Sequence, residues 1–130
     1  MKRGLQKTEI IGNVGGEVKF GELPNGTPVL NFSVAVNESY KDREGVEKEN
    51  TTWFRVNFYG KRGESLAPYI KSGLAVFVAG KVSVDSWISE GNAKAGLVLT
   101  CGNSSQDFLF LGGGQRDEDL PDVPDHDPLG

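Results

Sequence analysis

The chain has 130 residues, 37% of them hydrophobic and 25% charged, with 18 glycines and a formal charge of −4. These values fit one soluble domain with a real core plus a short extension, and no apolar run approaches the ~18 residues of a membrane-spanning helix. A single cysteine, Cys101, and a single histidine, His126, exclude an internal disulfide and leave almost no material for a zinc site or a Cys/His nucleophile. Cys101 ends the apolar run from Leu97 and is expected as a buried, inert thiol. The charged start, Met1 to Lys7, has no apolar stretch behind it and is not expected to be a signal peptide.

The elements follow in chain order. Leu5 to Phe20, rich in Ile and Val and interrupted by Gly12, Gly15 and Gly16, predicts a long bent strand with a bulge near the glycines. Leu23 to Thr27 predicts a turn, because Asn25-Gly26 tolerates positive φ. Leu30, Phe32, Val34 and Val36 then alternate with Asn31, Ser33, Ala35 and Asn37, the pattern of a half-buried strand that Tyr40 closes. Lys41 to Asn50 reads as a charged hairpin loop. From Thr51 to Tyr59 the alternation returns: Phe54, Val56 and Phe58 point to a core, while Trp53, Arg55, Asn57 and Tyr59 point away from it.

Gly60 to Gly73 is the one helix candidate, kept short by Pro68. Leu74 to Trp87 predicts a strand with Val76, Val78, Val82 and Val84 on one face and Phe77, Lys81 and Trp87 on the other. A loop at Glu90-Gly91-Asn92 leads to a last strand, Ala95 to Thr100, and Phe108 to Leu111 is a further extended apolar piece. Three strands, a short helix and two strands give an all-β class: a five-stranded OB-fold barrel with its helix between strands three and four.

The domain is placed at residues 1–111 and a Gly linker with an acidic, disordered tail at 112–130. The charge splits at the same point. Residues 1–111 hold 13 Lys and Arg against 12 acids; residues 112–130 hold one Arg, six acids and three prolines. The domain is thus weakly basic, and any cationic surface on it must be local.

Large rings on the outward face of a strand, with cations beside them, suit an unpaired nucleic-acid strand, whose base faces are free to stack and whose phosphates attract charge. Trp53, Tyr59 and Trp87 hold such positions, with Arg55, Lys61, Lys71 and Lys81 near in sequence. The competing reading of each ring is an interface residue or the floor of a small second core.

Further pieces carry a resemblance. Ile11 to Gly15, Pro24 to Thr27, Asn31 to Ala35, Asn37 to Tyr40, Thr52 to Val56, Phe58 to Lys61, Tyr69 to Gly73 and the strand ending at Trp87 together resemble the bacterial single-stranded DNA-binding proteins, over roughly residues 3–111. The resemblance implies an OB fold, usually a homotetramer, that wraps single-stranded DNA during replication, repair and recombination. It implies base stacking at Tyr40, Trp53, Tyr59 and Trp87, and backbone contacts at Arg3, Lys7, Arg55 and Lys61. It implies a cytoplasmic, nucleoid-associated protein with no cofactor and no catalysis; phosphate-loop and paired-carboxylate signatures are missing from the sequence.

Several positions depart from that family. Tyr40 and Tyr59 stand where Trp and Phe are common, and Phe54 where His is common near a subunit contact. Ser83, Asp85 and Ser86 replace a more basic strand, which predicts weaker binding or a smaller occluded site. Family tails end in aspartates and a Pro-Phe tip that docks on replication and repair proteins. Here Asp119, Asp122, Asp125 and Asp127 lead to Pro128, Leu129 and Gly130, so a weaker or more specialised docking tip is expected, against a merely solubilising tail. The alternatives to DNA binding are an RNA-binding OB module and a primosome-type assembly factor of the same fold, the latter expected to lose the rings.

Overall fold

In the computed structural model, which describes residues 4–102 and 107–113, the elements run β1 (Thr8–Glu22), β2 (Pro28–Lys41), β3 (Glu47–Tyr59), α1 (Lys61–Leu66), a 3₁₀ turn (Ala67–Tyr69), β4 (Leu74–Ser89), β5 (Asn92–Cys101) and β6 (Phe108–Gly113). The strands lie in the order β1-β2-β3-β5-β4-β6, and β1 also pairs with β4. That last pairing closes five strands into the expected barrel, with α1 between β3 and β4.

One strand serves both sides because it bends. Thr8 to Asn13 of β1 pair with Gly80 to Ala75 of β4, and Asn13 to Glu22 pair with Ala35 to Pro28 of β2. The β1–β2 register shifts between Val14 and Val18, across Gly15 and Gly16, where the bulge was expected. The peptide N–H of Gly73 donates to the Val14 carbonyl at 2.8 Å, tying the bulge to the start of β4. The turn at Leu23 to Thr27 also forms: Gly26 N–H donates to the Leu23 carbonyl, and Thr27 N–H to Asn25 Oδ1.

The core is apolar throughout. Leu30, Phe32, Val34, Val56, Phe58, Val76, Val78 and Leu99 are 0–1% exposed. Phe32 stacks on Phe58 at 6.2 Å between centroids, and Phe108 meets Phe58 edge-on at 5.7 Å. At 20–33 cal/mol per Å² of apolar surface, each such ring stabilises the fold by roughly 2–3 kcal/mol.

Two expectations need correction. The charged stretch Lys41 to Asn50 is mostly ladder, not loop: pairing runs from Asn37↔Thr51 to Lys41↔Glu47. Only a tight turn remains, closed by Asp42 Oδ1, which accepts the N–H groups of Glu44 and Val46 at 2.9 Å each. Register inherited from the buried half of the hairpin overrides the poor strand propensity of the charges. Next, Val84 is 68% exposed and does not join Val76 and Val78 inside. Beyond Gly80, β4 leaves β1 and pairs only with β5; Val82 still packs against the edge of the core, but by Val84 the inward alternation is uncovered. Gly80 permits that exchange of partners, since a Cβ there would collide with the Thr100 carbonyl oxygen. Phe108 to Leu111 is extended as expected and belongs to a sixth strand that continues to Gly113. It follows the same edge of β4 from where β5 stops: Thr100 lies opposite Lys81, and Phe108 opposite Val78.

The β4–β5 turn is tighter than the expected loop. Ser89 pairs with Asn92, and Glu90 and Gly91 both have positive φ, 53° and 81°, as a two-residue primed turn requires.

Candidate nucleic-acid interface

The outward face of β2, β3, β5 and β4 carries most of the chemistry. Strand alternation and register place its rows: Ala35 opposite Trp53, Ser33 opposite Arg55, and Arg55 opposite Val98. The next row runs Asn31, Asn57, Thr100 and Lys81. Val29 and Tyr59 follow.

Two indoles wall a groove of about 370 Å³ on this face, with Arg55, Asp85, Val98 and Phe54 among its lining residues. Trp53 is half-buried, while Trp87 is 46% exposed. Each indole is seated over a glycine of another strand. A Cβ on Gly15 of β1 would stand 3.0 Å from Cζ3 of Trp53, and one on Gly96 of β5 would stand 3.5 Å from Cη2 of Trp87. Trp87 reaches Gly96 diagonally, because its direct partner is Lys94. The rings therefore lie against backbone and keep a side toward the groove.

The remaining expected residues are distributed as follows. Tyr59 is 40% exposed, six residues along β3 from Trp53 on the same alternation. Tyr40 is 55% exposed on the β2–β3 arm, opposite Lys48 and on the alternation of Val34 and Val36 rather than that of Ala35. It does not line the groove of the two tryptophans. Arg55 is exposed in the groove. Lys7 and Lys81 line a second groove of about 530 Å³ with Gln6, Thr100, Cys101 and Asp107. Lys7 lies 3.8 Å from Glu9, an exposed pair of little energetic weight. Lys61 opens α1 just after Tyr59, and Lys71 lies just before β4; both are exposed and neither lines either of these two grooves. Arg3 and the tail residues Asp119, Asp122, Asp125, Asp127, Pro128 and Leu129 lie outside the described residues.

Sequence reasoning did not single out Gln6, Thr100 or the two glycine seats. Gln6 Oε1 accepts the N–H of Val82 at 2.6 Å, which anchors the chain before β1 beside the second groove. No local pattern marks such a contact between residues 76 apart. The seats depend on register between strands, which the alternation of one strand does not contain.

Cys101 is buried as expected. Burial, reinforced by Asp107 and opposed by Arg62, pushes its thiol up to about 12. At neutral pH it is protonated and supplies no nucleophile. Among the described residues, no group of three or more His, Cys, Asp and Glu side chains is placed to hold a metal ion.

A closed OB barrel with two indoles and a guanidinium lining one surface groove defines a class: proteins that bind unpaired oligomers on a barrel face. Comparison with known proteins narrows it. Residues 5–104 match the Single-strand binding protein family, and the chain belongs to that family. It is 33% identical over 103 residues to Single-stranded DNA-binding protein 1 of Chlorobaculum tepidum; the match covers 78% of this chain and 64% of that relative's length. Its fold is similar to that of the Plasmodium falciparum SSB in complex with ssDNA, with a TM-score of 0.72 and 28% identity over 86% of this chain and 99% of the other. The small single-stranded DNA-binding protein of Streptomyces coelicolor shares the fold at a TM-score of 0.65 and 24% identity, over 80% and 92% of the two chains.

Proposed function

We propose that this chain binds single-stranded DNA with little sequence preference and without catalysis, serving replication, repair and recombination in the cytoplasm. One observation carries the reading: Trp53 and Trp87 wall the same surface groove as Arg55, each indole seated on a glycine rather than sunk in the core. Trp53, Tyr59, Trp87 and, from the arm, Tyr40 stack on bases; Arg3, Lys7, Arg55, Lys61, Lys71 and Lys81 attract the backbone. Asp85 within the groove opposes that attraction and supports binding weaker than is usual in the family. No helix among the described residues is long and apolar enough to cross a membrane.

The working unit is a homo-oligomer, a tetramer by family habit. Ile11, Phe77 and Leu109 form one outward row across β1, β4 and β6, with Ile11 61% and Leu109 51% exposed. Such a row suits burial against a second copy. The DNA-binding domain is taken to the end of β6 at Gly113 rather than to 111, and the acidic residues after it contact replication and repair proteins.

Anisotropy of a labelled oligo-dT tests the reading. Trp53→Ala should cost about 1–3 kcal/mol, the usual value of one stacked base. An unchanged affinity would sink the stacking account and favour an assembly factor acting through protein contacts. Competition by an RNA oligomer of matched sequence separates the RNA-binding alternative, which requires RNA to displace the DNA at equal or lower concentration.

A further inference from the structure

Between Arg55 and Tyr59 the outward face of β3 presents Asn57, directly opposite Asn31 of β2. Asn31 Nδ2 donates to Asn57 Oδ1. Asparagine is a poor strand residue, yet two of them face each other on central strands in the middle of the ring-bearing surface. Both are partly open to solvent.

A primary amide has two N–H donors and a carbonyl with two lone pairs. One hydrogen bond between the two amides leaves one carbonyl and one NH₂ group with unused capacity. This holds whichever amide donates. Among the described residues, neither side chain makes another hydrogen bond. The pair therefore presents an acceptor and a donor together. Strand geometry puts it about 7 Å from the Arg55 row on one side and from the Tyr59 row on the other. The row continues through Thr100 to Lys81, in the second groove.

We propose that the Asn31–Asn57 amide pair is a base-edge reader: it hydrogen-bonds the donor and acceptor edge of a nucleobase lying between the Tyr59 ring and the tryptophan groove. The pair gives an otherwise tolerant surface a modest base preference, and Thr100 and Lys81 carry the strand onward into the second groove. Stacking uses base faces and leaves their edges free, so a reader at this spacing complements the rings rather than competing with them. The inference rests on the single-stranded DNA reading above.

The test uses the full chain and labelled oligomers of dT, dC and dA, plus an abasic oligomer of equal length, by anisotropy at low salt. Asn31→Val/Asn57→Val removes both amides together, so no orphaned partner remains and the strands gain residues suited to them. The double variant should bind the base-bearing oligomers roughly 5- to 10-fold more weakly. It should narrow the spread among dT, dC and dA and leave abasic binding unchanged. Unchanged affinity on all oligomers, or an equal loss on the abasic one, overturns the inference. Trp53→Ala run alongside distinguishes the two failures: if it weakens binding while the double variant does not, only the reader is wrong; if neither weakens it, the stacking surface is wrong as well.

Discussion

Gly15 and Gly96 hold the indoles by different margins, and the difference is measurable. A methyl on Gly15 would meet Trp53 Cζ3 at 3.0 Å, so the indole must shift; on Gly96 the corresponding distance to Trp87 is an ordinary 3.5 Å contact. Moving a side chain off its rotamer costs about 0.5–1.5 kcal/mol. Gly15→Ala should thus weaken oligo-dT binding about two- to tenfold by anisotropy, whereas Gly96→Ala should leave it within about twofold. Cys101 gives a second prediction at this scale. Its folded pKa, near 12, lies above the ordinary 9.0, so the folded state holds its proton where the unfolded state has lost it. Stability from this residue is intact below pH 9 and is lost as pH climbs toward 12. Urea midpoints should fall across that window, and Cys101→Ala should fall less steeply.

Among the elements, β6 is the one that the strand pattern only half announces. Phe108 is 4% exposed against Phe58, and its other neighbour is Phe110 at 4.8 Å. Phe108→Ala should lower stability by about 3–5 kcal/mol in urea denaturation, while Val84→Ala, exposed on the β4 arm, should cost less than about 1 kcal/mol. The buried half of the barrel was legible from alternation alone: Phe32, Val34, Val56, Phe58, Val76 and Val78 all point inward as their parity required. So were Trp53 and Arg55 on the outward face. Parity failed where strands outrun the barrel. Val84 and Tyr40 sit on the inward alternation of arms that enclose nothing, and both are exposed. Alternation says which side of a strand a residue takes, and closure of the barrel decides whether that side is covered. The amide pair lay in plain view as two outward asparagines, but only the β2–β3 register sets them opposite one another.

The chain carries −4 while the barrel's own sequence is weakly basic, and Trp53, Trp87 and Arg55 share one surface groove. A DNA site on it is therefore local, and its electrostatic share should weaken steeply with salt. The outward side of β1, β4 and β6 bears the apolar row proposed to meet a second copy. Ile11→Glu should shift the mass seen by light scattering from oligomer toward monomer, and an unchanged mass would place the contact elsewhere. Both rows rest on the same closure through the β1–β4 pairing. Unpaired bases are proposed to lie against Trp53 and Trp87. Intrinsic tryptophan fluorescence of the full chain, titrated with poly-dT at several salt concentrations, tests it most directly. Saturable quenching, with affinity falling linearly in log–log salt, is the predicted result; emission unmoved by poly-dT at low salt would contradict it.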